Sequence, residues 1–299
     1  MRALAFMIAV AWIASPVHAY FEANEVGARA LGLGHSFVSV ADDASAVHWN
    51  PAGLVTLARN EFLLSYDESA DVEGLRHGFA ALALHPGPVS VGFGWRHGGV
   101  EDAVGEDVLY ASLARTAVRR SLGAYAAGGA TLKLARLSVD TRGFEDVAGL
   151  HGSVTRVTAD AGILIAPIPN VTTGVVVRNL GRPTFDVLQG GARSALPHEV
   201  EWGVSLRWRE DAWLHLSRLH RDPGSETRAA AEFRVAQSLG VRAGLGRHAI
   251  TGGIGIGWER WTFDAAFRSR DILGWTYRVG LRRAFGAERA TAGGGFDDF

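Results

Sequence analysis

Cysteine is absent from the 299 residues, and only 2 methionines occur. Without a thiol the chain can form neither a disulfide framework nor a thiolate metal site. Net charge is just as thin: 30 Lys and Arg against 31 Asp and Glu leave a formal −1, without the basic footprint that nucleic acid demands. Long apolar runs are missing too. The longest, Ala3–Ser15, falls short of the roughly 18–20 residues a spanning helix needs, which excludes a helical inner-membrane protein. Signatures of catalysis also fail. No HExxH occurs among the 11 histidines, and His215 and His220 have the wrong spacing for a helical metal pair. The glycines of Gly253–Gly257 continue a strand rather than opening a helix on a nucleotide, and no G-x-S-x-G elbow is present. His215 and Ser217 share one strand face, but that face is expected to look inward. A non-enzyme with no metal and no cofactor is the reading.

What the chain does have is glycine, 38 residues of it, and 9 tryptophans. The amino terminus carries Arg2, the apolar core Ala3–Ser15 and the small-x-small sequence Val17-His18-Ala19, so residues 1–19 read as a secretory signal peptide. Beyond it, apolar and polar residues alternate. Val89, Val91, Phe93 and Trp95 interleave with Ser90, Gly92, Gly94 and Arg96; Val200, Trp202, Val204, Leu206 and Trp208 interleave with Glu201, Gly203, Ser205 and Arg207. A period of two places one set on each face of a strand.

About fourteen such segments are expected, at 61–67, 77–85, 89–96, 107–116, 121–136, 155–166, 171–179, 199–209, 212–219, 228–235, 238–245, 249–258, 261–268 and 275–285. Their connections alternate short and long, apart from 246–248, which is short where a long one is due. Short turns on one side and longer loops on the other are the habit of an outer-membrane barrel with both termini in the periplasm; a soluble sandwich has no reason to sort loops by parity. Trp95, Trp202 and Trp275 fall near one rim, and Trp208, Trp213, Trp258 and Trp261 near the other, where indole suits the lipid headgroups. The fold class is therefore all-β: a transmembrane antiparallel up-and-down β-barrel over residues 60–285, in the outer membrane of a Gram-negative-type bacterium. Only a closed barrel lets β-structure sit in lipid, because closure pairs every edge.

The polar faces must then line the lumen, and they carry Arg96, Arg115, Lys133, Asp160, Arg178, Glu201, Arg207, Glu232, Arg234, Arg242, Asp264, Arg278 and Arg282. Both signs occur, so a bore laced with ion pairs is expected. Arg136 and Arg283 fall on the lipid-facing phase, close to strand ends where headgroups can solvate them. Residues 286–299, Gly-rich and ending FDDF, read as a flexible tail.

Residues 20–59 break the pattern. Within them GARALGLG (27–34) is built from small residues that permit close backbone approach. VADDASAVHWNPAGL (40–54) places Asp42 and Asp43 where a short helix could start, with helix capping and docking onto lumen arginines as compatible roles; Asn50-Pro51 stops that helix, since proline pushes its predecessor out of the α region. These two stretches together resemble the amino-terminal hatch of outer-membrane barrels of the FadL long-chain fatty-acid transporter superfamily, in particular its PorV/PorQ-like branch. Val175–Gly181 and Leu196–Trp208 add weaker echoes, while His35 and Ser36 stand where that family usually has Gly or Ala.

The resemblance implies a plug formed by the hatch, with Phe37, Val38, Asp42, Asp43, Trp49, Asn50 and Pro51 as candidate hatch or ligand contacts. It implies a channel or carrier for hydrophobic small molecules. The alternative is a PorV-like scaffold that holds exported proteins or a secretion system through the connections 137–154 and 180–198. Expected partners are outer-membrane lipid, the barrel-assembly machinery during insertion, and either a hydrophobic ligand or an exported protein, with no nucleic acid.

Overall fold

The computed structural model describes residues 25–69, 74–100, 103–119, 124–140, 151–186, 194–222, 224–246, 249–270 and 274–288. The expected signal peptide and nearly all of the expected tail lie outside these residues. All fourteen expected strands occur, and they close into one antiparallel barrel. In chain order they are β1 (Asn60–Ser69), β2 (Leu75–Leu84), β3 (Val89–Val100), β4 (Val104–Arg119), β5 (Tyr125–Asp140), β6 (His151–Ile168) and β7 (Val171–Leu180). After a small hairpin, β8 (Thr184–Phe185) with β9 (Ser194–Ala195), come β10 (Glu199–Arg209), β11 (Ala212–Arg221), β12 (Gly224–Ala236), β13 (Leu239–Gly246), β14 (Ala249–Trp258), β15 (Trp261–Arg270) and β16 (Gly274–Phe285). Each barrel strand pairs with its sequence neighbour, β7 with β10 across the small hairpin, and β1 with β16 at the seam. The ring of fourteen strands is thereby closed, as lipid requires of β-structure.

Alternation places the two phases as expected. Leu109, Leu113, Leu132, Leu134, Val157 and Ile163 are exposed on the outer face, Val157 to 60%. Arg96, Lys133, Glu201, Glu232, Arg242 and Asp264 are buried inside. Strand height is uneven around the ring, from 18 residues in β6 to 8 in β13. Between β6 and β7 the ladder shifts around Asp160, opposite Arg178 and Asn179. Asn179 there has φ 59°, and its N–H donates to Asp160 Oδ1 at 2.9 Å.

Three orientations differ from expectation. Arg115 lies opposite Val89 on the outward phase, exposed, so it does not line the lumen. The following register shift near Thr116 marks the end of regular alternation on β4. Trp213 is buried inside rather than facing headgroups, with the guanidinium carbons of Arg207 and Arg234 lying 5.5 and 5.3 Å from the indole centre; cation–π attraction to the two holds the ring inward. The connection after β7, expected as plain loop, carries β8 and β9 and turns Phe185 and Leu196 into the core. Arg283, by contrast, does face outward at a rim, where it stacks over Trp261 at 4.8 Å.

Candidate functional site

The hatch is the site. Instead of one short helix it contains α1 (Ala28–Gly32), α2 (Ala46–Trp49) and a 3-10 helix (Pro51–Thr56). Residues 26–57 are all buried, which only a segment filling the bore can achieve. Asn50 is extended at φ −161°, as its proline neighbour dictates, and ends α2. His35 turns through φ 64° and still packs, its ring stacked 5.7 Å from Trp49.

Glycine in the wall explains how backbone fits inside backbone. A Cβ on Gly129 would come within 2.5 Å of Ala52 N and Pro51 C. A Cβ on Gly162 would overlap the Asn50 amide, on Gly174 the Val38 carbonyl, and on Gly244 the Gly34 nitrogen. These positions lie on β5, β6, β7 and β13. The hatch thus runs along a track of bare backbone, and close approach is what glycine permits.

Polar groups then fix it. Asn50 Nδ2 donates to Val38 O at 2.9 Å and to the wall carbonyl of Ile163 at 3.1 Å, and Asn50 Oδ1 accepts from Ala52 N at 3.2 Å. From the wall, Arg178 donates to the last carbonyls of α2, His48 O at 3.3 Å and Trp49 O at 2.9 Å, while pairing with Glu199 and Glu201. A cation at a helix carboxyl end is favourable because the carbonyls there lack partners. Glu61 Oε1 accepts from Ala44 N at 2.6 Å.

The two aspartates depart from the roles expected of them, since the residue at the start of α2 is Ser45, without a side-chain cap. Asp43 Oδ1 accepts from Ser45 N at 2.8 Å and from the Ser45 hydroxyl, one turn ahead of α2. Asp42 does not reach a lumen arginine. Its partner is Arg29 of the hatch itself, at 2.5 Å, and Arg29 in turn pairs with Glu232 of the wall at 2.9 Å. From Glu232 a line of alternating charges continues to Arg242 at 2.6 Å, Asp264 at 2.6 Å and Arg282 at 3.2 Å. Arg29, missed in the sequence, is the pin between hatch and barrel. A second knot joins Glu25 to Arg268 at 2.8 Å, to Arg228 at 3.5 Å and to His35 at 3.4 Å.

Of the other expected lumen charges, Lys133 pairs with Asp160 at 2.6 Å and Arg278 with Asp67 at 2.6 Å. Arg96 pairs with Glu106 at 3.3 Å. Arg207 and Arg234 flank Trp213 near the short-turn rim, away from the hatch pin. Burial, with Arg268 and Arg228 beside it, pushes His35 well below its ordinary value; burial, with Arg178, Lys133 and Arg96, does the same to His48. His215 donates or accepts at Ser205 Oγ, 2.8 Å away, and that hydroxyl meets Ser39 of the hatch. His215 and Ser217 are both buried inside.

One apolar seam runs between hatch and wall. Ring centroids step from Phe37 to Trp49 at 6.0 Å, to His48 at 5.1 Å, to Tyr110 at 5.8 Å and to Phe79 at 6.3 Å. Beside His48 and Tyr110 lies a cavity of about 20 Å³, bounded by Val108, Ala135 and Leu196 and by the polar side chains of Lys133, Arg178, Asn179 and Glu199.

No protein-family model matches the chain, and no curated protein matches it in sequence. Its fold does match solved barrels. A FadL homologue from Pseudomonas aeruginosa superposes with a TM-score of 0.62 at 11% identity, over 87% of this chain and 98% of that one. A deltaS2S3 mutant of the monoaromatic hydrocarbon channel TodX also gives 0.62, at 12% identity over 87% and 99%. The Pseudomonas putida toluene transporter TodX gives 0.53, at 11% identity over 82% and 95%. The chain therefore has the FadL-type fold, a closed fourteen-stranded barrel stoppered by its own amino-terminal segment.

Proposed function

We propose that this protein is an outer-membrane channel or carrier for small hydrophobic molecules, shut in the present conformation by residues 25–57, and not an enzyme. The observation that carries the reading is the aromatic seam from Phe37 to Phe79, which passes a small cavity beside His48 and Tyr110. A cavity of about 20 Å³ admits one water and no more, so cargo must part the seam to pass. Val108, Tyr110, Ala135 and Leu196 give the cavity an apolar side, and Lys133, Arg178, Asn179 and Glu199 a polar one; the seam beside it suits flat or greasy cargo carrying a polar group, since ligand sites combine apolar surface with a few placed polar groups. The solved TodX barrels are named for toluene and monoaromatic hydrocarbons, which agrees with such cargo here. In this reading the apolar outer face lies against lipid, with both termini periplasmic and the long connections outside.

Deleting residues 27–54 and recording conductance in planar bilayers tests the plug. The deletion is expected to convert a silent barrel into an open pore, and unchanged conductance refutes it. Uptake of toluene into liposomes, compared between the intact protein and Tyr110→Trp, tests the seam; equal uptake refutes that route. Co-purification of an exported protein in place of lipid from mild detergent would favour the scaffold alternative.

A further inference from the structure

A second concavity lies on the opposite side of the wall, facing out. It measures about 610 Å³ and sits where β1 to β5 reach the rim of the long connections. Its walls are Tyr66, Trp95 and His97, and its floor is the backbone of Gly78, Gly99 and Gly105. Tyr66, Gly78, His97 and Asp107 stand side by side in one register row, on the phase that elsewhere is apolar. Directly below it the row Leu64, Ala80, Trp95, Leu109 is apolar. The site straddles the edge of the apolar belt.

A rim of tryptophan and tyrosine needs no special explanation in a membrane barrel. This place has two features that a girdle does not need. Asp107 is an acid on the lipid-side phase, costly unless it lies at the interface and has work there. Its Oδ1 accepts from Trp95 Nε1 at 3.0 Å and meets His97 Nδ1 at 2.9 Å. One carboxylate thereby locks both rings, 6.0 Å apart and tilted by 37°. The floor is also kept bare. A side chain on Gly99, at φ 145°, would collide with the Val104 carbonyl, whereas at Gly78 there is open space that the sequence leaves unfilled.

Locked aromatic faces beside carboxylates, over a floor without side chains, recognise the apolar faces and hydroxyl edges of a sugar ring. Among the described lining residues, aliphatic surface comes mainly from Val100 and Val104, too little for an acyl chain, and Arg76 shares the rim with Asp140, which disfavours a phosphate. We propose that this outward concavity binds a sugar of the headgroup of an outer-leaflet glycolipid, a site distinct from the hatch. The inference rests on the outer-membrane reading.

The test uses the full mature chain in phosphatidylethanolamine nanodiscs, titrated with rough-type lipopolysaccharide and read by native mass spectrometry, with insertion checked separately by heat-modifiable migration. Saturable binding of one glycolipid is expected, weakened about five- to tenfold by Trp95→Ala and by Gly78→Phe, which fills the open space. Arg218→Ala, on the outer face of β11 away from the concavity, should leave it unchanged. Competition by the deacylated core oligosaccharide supports recognition of the sugar itself. Binding indifferent to both Trp95→Ala and Gly78→Phe, or competed by acyl chains and not by the oligosaccharide, overturns the proposal. A chain that never inserts overturns the membrane reading along with it.

Discussion

Replacing Arg29 by Met removes the pin between hatch and wall. The guanidinium is 4% exposed and serves two carboxylates, Asp42 at 1% and Glu232 at 0%. Glu232 keeps Arg242 at 2.6 Å, but Asp42 is left buried without its cation. Breaking a buried pair in this way costs about 3–5 kcal/mol, whereas replacing both partners by apolar groups is often close to neutral. If that cost falls on the docked hatch alone, the ratio of closed to open barrels drops between about a hundred- and a few thousandfold, at tenfold per 1.4 kcal/mol. Single-channel recording in planar bilayers is the assay. Arg29→Met should open often, and the double variant Arg29→Met/Asp42→Leu should return most of the way to silence. A single variant as quiet as the parent, with the hatch equally protected from protease, would refute the view that charge pairing holds it. So would a double variant as leaky as the single one.

Other outcomes follow from the same contacts. Gly129→Ala should loosen the hatch, because its Cβ would press within 2.5 Å of Ala52 and Pro51, while the adjacent Gly128→Ala, whose nearest neighbour is 4.0 Å away, should not; protease sensitivity of residues 25–57 separates the two. Asn50→Ala leaves the Val38 and Ile163 carbonyls without their donor and should weaken docking by about 1–3 kcal/mol, seen as faster amide exchange around Val38–Ala41. His35 and His48 are held neutral, below the ordinary histidine value of 6.5. Their contribution to hatch docking is therefore complete above about pH 6.5 and is lost as pH falls below it, because the undocked side chains take up protons first. Conductance should rise from pH 7.5 to 5, and His35→Gln/His48→Gln should flatten that rise.

The wall was legible because membrane β-structure leaves its period in every strand: Val89–Trp95 and Val200–Trp208 announce their faces residue by residue. Asn50-Pro51 likewise marked a helix end through a local steric rule. What escaped were features whose cause lies far away in the chain. Arg29 is a single cation among Ala, Gly and Leu, and its wall partner is 203 residues away. Trp213 shares the inward phase of His215 and Ser217, yet a tryptophan beside a short turn reads as part of the headgroup girdle; inside, Arg207 and Arg234 flank it. The pair β8 and β9, two residues each, is too short to show a period. Charge alone argues for an inward Arg115, but the phase of Leu109 and Leu113 runs through it and turns it outward. The glycines were countable, but which of them touch the hatch depends on a path only the folded chain defines.

The unequal strand heights have a further consequence. Lipid covers a band of similar thickness all around, so the extra residues of β4, β5 and β6, 16 to 18 long against 8 to 10 in β13 to β15, must stand clear of the bilayer as a one-sided parapet. With the long connections outside, as proposed above, antibodies, phages or neighbouring cells would meet that parapet first, while solutes would slip in over the low flank. An epitope tag placed between β5 and β6 should therefore be the most accessible on intact cells, and one placed between β13 and β14 the most shaded.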